Sequence, residues 1–537
     1  MSYELLLGLY FGESSNADLT SSDARRLLHV RTPLEDYVAQ TLRRGLDVVL
    51  TGNPGDGKSH VAHVLRATGD LEDAEVHPDL SAGPSAVAIE RWLGARRAGR
   101  RFVLLGNEGP LVEFIAALQG TGPLKAEASE LHGQLRRLLV QQRSELPPEP
   151  QRVALVDLAD RSVLDAAVVE AMLERVSSDE FLPNFSRAVD SSVGRNLVAL
   201  QTTEVRARLA RVLCAAGRRR GEHVTFRQLW SAIAFAVTGA KAVATLKQEL
   251  SMDAVGLGTT PMDYLTSPRG RGLLLEAART FGDPAAVPDP DLDEQLWSTG
   301  QPSGGEWFGD ELHAEPPATL WAQGQRAEAL RAFAQTKRAV ALLHTRGDRL
   351  IHGIERRLRL PRDVSDDALR REIVRGLRHL YVSPMEEAGA PRWLLDGVPL
   401  WIGFSYADRP AEERPHVAVR ALGEAEFQVL RPQRAPWLEK VLGPPPDLVW
   451  LVHRESGVSL RVDAEMLGAL AAASGSSGPM PVPEPIQRFL VRLAGWDESS
   501  DDLEPREYPC AVLERPRGKL EVSARVERVG EAGARYV

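Results

Sequence analysis

The segment Gly52-Asn53-Pro54-Gly55-Asp56-Gly57-Lys58-Ser59 fits the spacing G-x-x-x-x-G-K-[ST] at every specified position. Glycine lets consecutive backbone N–H groups turn inward, so a loop of this kind can cradle a chain of phosphates. Lys58 then reaches the outer phosphates, and the Ser59 hydroxyl offers an oxygen to Mg²⁺, with His60 next along the cradle. The cofactors such chemistry calls for are ATP and Mg²⁺. A strand-turn-helix junction with coincidental glycines is the bland alternative, and a loop that binds nucleotide without hydrolysing it is the serious one.

Hydrolysis needs a base to activate water and a group to hold the metal shell. The run Phe102-Val103-Leu104-Leu105-Gly106 ends in Asn107-Glu108-Gly109, where an AAA-type ATPase places its Asp-Glu pair. On this reading Glu108 is the general base, with Lys58 as the other catalytic group. Asn107 joins Ser59 at the metal, with an amide in place of the usual carboxylate. A rival strand, Val153-Ala154-Leu155-Val156, ends in Asp157, which is expected to contact the γ-phosphate or its water and could instead be the Mg²⁺ partner. Each carboxylate also has an ordinary reading as a solvated strand end, and Asp160 as a helix cap. Arg227, at the start of a later helix, is expected to reach the nucleotide when a lid closes. Arg269 and Arg271, in Ser-Pro-Arg-Gly-Arg, are exposed candidates to act on a neighbouring subunit.

The elements that must position these groups are legible. Thr32-Pro33-Leu34-Glu35 is a helix start with a capping box and proline in the first turn. Asp47–Thr51 is a short apolar run of the buried parallel-strand type. Further runs at 74–77, 101–105 and 153–156 alternate with helix-like stretches at 86–98, 111–118 and 126–142, which predicts an α/β parallel sheet covered on both faces. From residue 203 the pattern is helical, a lid over 203–281. Residues 282–317 read as linker or ordered loops, and helices return over 325–354 and 365–380. Beyond residue 399, strands are expected at 416–422, 426–430, 448–453, 458–462, 508–513 and 520–529, with helices at 463–473 and 485–493 around a Ser-Gly tract at 474–478. The expected divisions are 1–46 N-terminal helical segment, 47–202 nucleotide core, 203–281 lid, 282–390 linker and helices, and 391–537 mixed α+β domain.

At 537 residues the chain exceeds a single ordinary core, given roughly 100–200 residues per domain. No apolar run approaches the ~18 residues of a membrane span. Glu4 stands where an export signal needs basic residues, so the expected location is cytoplasmic. Cys214 and Cys510 are too far apart in sequence to suggest a metal or redox motif. A net charge of −9 disfavours a surface that coats nucleic acid. Local basic clusters at 96–101, 218–220 and 356–362 could meet phosphates, although solvated helix faces are the commoner explanation.

The chain resembles the ATPase component of phosphorothioate-dependent DNA restriction systems, the DptF-like group of bacterial defence proteins. The resembling pieces are the 52–59 loop, Asp79-Leu80-Ser81, Asn107-Glu108-Gly109-Pro110-Leu111, Val156-Asp157-Leu158-Ala159-Asp160-Arg161 and Thr225-Phe226-Arg227-Gln228-Leu229, with fainter similarity towards Leu400-Trp401. The resemblance implies an AAA-like P-loop NTPase fold and ATP turnover with partner proteins of a defence or restriction operon. DNA is then expected to be reached through that complex; no membrane partner is expected, and a homo-oligomer is one of the oligomeric states left open. A nucleotide-gated scaffold with little hydrolysis is the second expectation, favoured by Asn107. A small-molecule kinase is the third.

Overall fold

Helices α1 (Tyr3–Phe11) and α2 (Ser22–Leu28) lead to α3 (Pro33–Arg43), whose start follows from its first residues. The Glu35 carboxylate reaches back to accept the Thr32 backbone N–H at 3.0 Å and the Thr32 hydroxyl, while Pro33 fills the first helical position. Gly45, at φ +88°, then reverses the chain into β1 (Asp47–Thr51). After the glycine loop come α4 (Lys58–Ala67), β2 (Ala74–His77), α5 (Ser85–Arg97), β3 (Arg101–Leu105), α6 (Glu108–Gln119), α7 (Lys125–Leu139) and β4 (Val153–Asp157). The computed structural model describes residues 3–12, 22–139, 149–178, 191–220, 223–242, 245, 259–308, 315–361, 363–387, 400–403, 417–475, 482–498, 510–514, 521–530 and 533–536.

These strands form one parallel sheet in the order β2-β3-β1-β4. Val48 is in register with Val103 and Ala154, and Thr51 with Asp157. Alternate side chains go to opposite faces. Val48, Leu50, Val103, Leu105 and Val156 meet α3, α4 and a helix at Pro436–Leu442. Val49, Phe102, Leu104, Val153 and Leu155 meet α5, α6 and α7. Burial on both faces is why the central parts of β1, β3 and β4 read as apolar runs, whereas the edge strand β2, Ala-Glu-Val-His, is only partly buried. On the second face Trp92 stacks on Phe102, with centroids 5.2 Å apart, and its indole N–H donates to Asp47 at 2.8 Å.

The helical part begins earlier than residue 203. Helices α8 (Ala166–Val176) and α9 (Ser192–Gln201) pack with α10 (Thr203–Arg220) and α11 (Phe226–Thr238), away from the sheet. The same core takes in α1 and the helices at Leu273–Phe281, Pro290–Thr299, Arg326–Leu343 and Gly347–Leu358. Arg208 ties this core together, donating to the Leu342 and His344 carbonyls and pairing with Asp348 at 2.8 Å. The stretch expected as linker or loops therefore carries ordered helix.

Two compact units result, with boundaries unlike the expected ones. The first comprises residues 1–359 and 433–446, and the second comprises 360–432 and 447–537. The second has a three-stranded antiparallel sheet (Phe427–Leu430, Leu448–His453, Ser459–Asp463) and a five-stranded one that includes Leu400–Gly403 and Val417–Leu422. Helices at Asp366–Glu387, Ala464–Gly475 and Glu484–Glu498 accompany them. Residues 140–142, 309–314, 362, 416, 476–478, 508–509 and 520, to which the expected linker, basic cluster, helices and strands extend, lie outside the described residues. Among the described residues no helix is long and apolar enough to cross a membrane.

Candidate functional site

The glycine loop leaves the carboxyl end of β1, the end at which ligands of parallel sheets are held. Gly52, Gly55 and Gly57 have φ of +137°, +98° and +92°, a region closed to most side chains. At Gly52 space is also short, because a Cβ would lie 2.8 Å from the Asp56 carboxylate and 3.0 Å from the Ala159 nitrogen. Gly57 opens α4, and no side chain caps that helix, so its first turn presents uncapped N–H donors.

Lys58 folds over the loop and donates to the carbonyls of Gly52 at 2.8 Å and Asn53 at 2.9 Å. Burial pulls its pKa below the usual lysine range, while Asp56, Asp157 and Asp79 act in the other direction. Asp56 is only 2% exposed. It accepts the Asn53 N–H at 2.6 Å and faces His223 Nε2 at 2.6 Å, so it braces the loop from within.

A cavity of about 790 Å³ opens above this loop. Its polar wall contains residues 54–60 together with Asp79, Asn107, Arg161 and Arg227. Its apolar wall contains Leu9, Leu28, Val30, Phe226 and Trp230. The volume is that of a small-molecule site, with one charged side and one apolar side. Ser59 Oγ, the Asn107 amide and the Asp79 carboxylate are hard oxygen donors, which suit Mg²⁺ better than a softer metal. Asn107 precedes α6 without capping it through its side chain, which leaves the amide available to the cavity. Among the described residues no group of three or more His, Cys, Asp or Glu forms a metal cluster by itself.

The structure does not place every expected residue on the cavity. Gly52 and Asn53 lie beneath it, holding Lys58. Glu108 is exposed on the first turn of α6 and is not among the lining residues, although its charge is felt at Asp157. Asp157 ends β4 beside β1, half-buried, and its side chain accepts the Ala159 N–H at 2.9 Å. Burial first, then Asp160, Glu108 and Asp56, push its pKa up to about 6. Because β1 lies between β3 and β4, strand order alone does not rank Glu108 above Asp157. Arg227 lines the cavity, and its backbone N–H donates to the Gly55 carbonyl at 3.4 Å. Arg269 and Arg271 are exposed and line no part of it. Asp160 is engaged by Arg434 at 3.1 Å. Of the basic clusters, Arg96 pairs with Glu127, Arg100 with Glu75, and Arg219 lies over Phe281.

His60, expected next along the cradle, lines the cavity and meets His29 at 3.1 Å, and burial pushes its pKa down to about 4, so it is neutral at pH 7. Two further neighbours were not singled out in the sequence. His223 braces Asp56, and Arg161 is buried in the cavity wall. The signal for the 223–230 segment was present as a second capping box, Thr225 with Gln228, which fixes where α11 begins above the loop. Comparison of the chain with protein-family models, with curated proteins and with solved structures finds no match to any of them.

Proposed function

We propose that this chain binds Mg-ATP at the 52–60 loop and hydrolyses it, as the ATPase of a bacterial DNA-directed defence complex. The observation that carries the binding step is the conjunction at one cavity of uncapped α4 amides, Gly55 and Gly57 at positive φ, Lys58 and Ser59. Mg²⁺ supplies charge neutralisation and a fixed phosphate geometry when bound. Ser59, Asn107 and Asp79 are the residues that would hold it. The apolar wall of Leu28, Val30, Phe226 and Trp230 offers the surface a nucleobase needs. In hydrolysis, water attacks the γ-phosphorus, the bond to the bridging oxygen breaks, and the proton passes to Glu108 or, failing it, to Asp157.

The defence role rests on the sequence resemblance, and it is tested in the operon: Lys58→Ala abolishes restriction while the chain still accumulates. At the bench, purified protein turns over ATP, and both Lys58→Ala and Glu108→Gln lose at least 100-fold in rate. Unchanged turnover in Glu108→Gln transfers the base role to Asp157.

A second reading, a nucleotide-gated scaffold with little hydrolysis, is favoured by Asn107 standing at the cavity and by Glu108 facing solvent. Tight ATP binding with negligible turnover, in the presence of DNA and partner proteins, selects it.

A further inference from the structure

Among the described residues three arginines are at least nine-tenths buried, and two of them have counter-charges. Arg208 is met by Asp348 and two carbonyls, and Arg434 by Asp160 and the Gly443 carbonyl. Arg161 is the third, at 7% exposure. Among the described residues its guanidinium meets the face of Phe226, 4.8 Å from the ring centroid, and no carboxylate at ion-pair distance. Glu35 and Asp56 act on it only from farther away. Both are already engaged, Glu35 by Thr32 and Asp56 by Asn53 and His223. A guanidinium stays charged at any working pH, and a buried charge without a counter-ion is costly. This one lines the cavity that contains Lys58 and Ser59.

The backbone on both sides of Arg161 is fixed by the segment 433–446. Arg434 donates to the Asp160 carbonyl and pairs with the Asp160 carboxylate at 3.1 Å. On the other side, the Ser162 N–H donates to the Leu442 carbonyl at 3.0 Å. Phe226, stacked beneath the guanidinium, sits against the loop at Gly57. The residue is thus anchored at its root and open at its tip.

We propose that Arg161 is an anion-binding residue of this cavity that contacts the phosphate chain of the bound nucleotide, and that Arg434 is the positioning residue that holds it there. The proposal rests on the nucleotide reading of the site. A planar fork of donors suits two phosphate oxygens at once, where an ammonium group acts as a point charge.

The test uses the full chain and two probes, Mg-ATP and inorganic pyrophosphate, with binding and melting temperature measured for wild type, Arg161→Met, Arg161→Lys, Arg434→Met and Lys58→Ala. Arg161→Met is expected to weaken both probes at least tenfold, while the ligand-free melting temperature holds or rises because an unpaired charge has left the interior. Arg434→Met weakens binding less, and its effect vanishes in the Arg161→Met background, as coupled residues require. Where the methionine variant fails to fold, Arg161→Lys decides, keeping the charge and losing the fork. Full affinity in the Lys and Met variants overturns the proposal and leaves the nucleotide function standing. A wild type that binds neither probe overturns both.

Discussion

Asp157 is the residue whose ionisation is most informative. Its folded pKa of about 6 lies above the usual carboxylate value, chiefly through burial. The folded chain therefore binds a proton more readily than the unfolded chain, and this group's contribution to stability falls as pH rises from about 4 to 6. Asp157→Asn removes the cost of burying the charge. The variant is expected to be more stable than wild type by ~1–3 kcal/mol at pH 7.5 and to lose that advantage below pH 4. Chemical denaturation at the two pH values checks this, and an equal difference at both would mean that Asp157 titrates normally. Bound Mg²⁺ stabilises the ionised form, so the proposed Mg-ATP binding should weaken as pH falls through 6 and should be accompanied by proton uptake on release. The same burial lowers the Lys58 pKa, and the phosphates restore it.

At the scale of elements, the site is made by two starts of helices meeting one loop. Helix α4 begins at Gly57, and α11 begins at the Thr225 capping box, whose next residues reach the Gly55 carbonyl. Asp56 joins the two, holding the Asn53 N–H on one side and His223 on the other. Asp56→Ala leaves both partners unmatched, and a loss of ~1–3 kcal/mol is expected together with weaker Mg-ATP binding. Urea unfolding with and without ligand measures both. Gly106 makes a comparable joint. A Cβ there would come within 2.9 Å of Leu80, in the turn that carries Asp79. Gly106→Ala is expected to displace that turn and to weaken Mg²⁺ dependence without loss of the sheet, which circular dichroism beside a metal titration would show.

At the scale of the whole molecule, the first unit is discontinuous in sequence. Leu438, Val441 and Leu442 share a core with Leu34, Val38 and Leu42 of α3, and Trp437 stacks on Tyr37 at 5.8 Å. A chain ending at residue 359 exposes that apolar surface. It is expected to be less stable, by on the order of 3 kcal/mol or more, than a chain in which 433–446 follows residue 359 through a flexible linker. Equal unfolding midpoints for the two would show that the segment adds nothing to the core.

The sequence by itself determined what depends on near neighbours: the glycine loop, the Thr32–Glu35 cap, and the apolar runs that became β1 to β4. These are set by backbone freedom, local hydrogen bonds and side-chain period, all of which act within a few residues. Only the tertiary structure decided which distant groups complete the site. It placed Arg161 and Asp79 on the cavity, turned Glu108 outward, put His223 under the loop and returned 433–446 to the first unit. Their positions follow from strand order and from packing against residues tens to hundreds of positions away, and no local pattern encodes a partner at that separation.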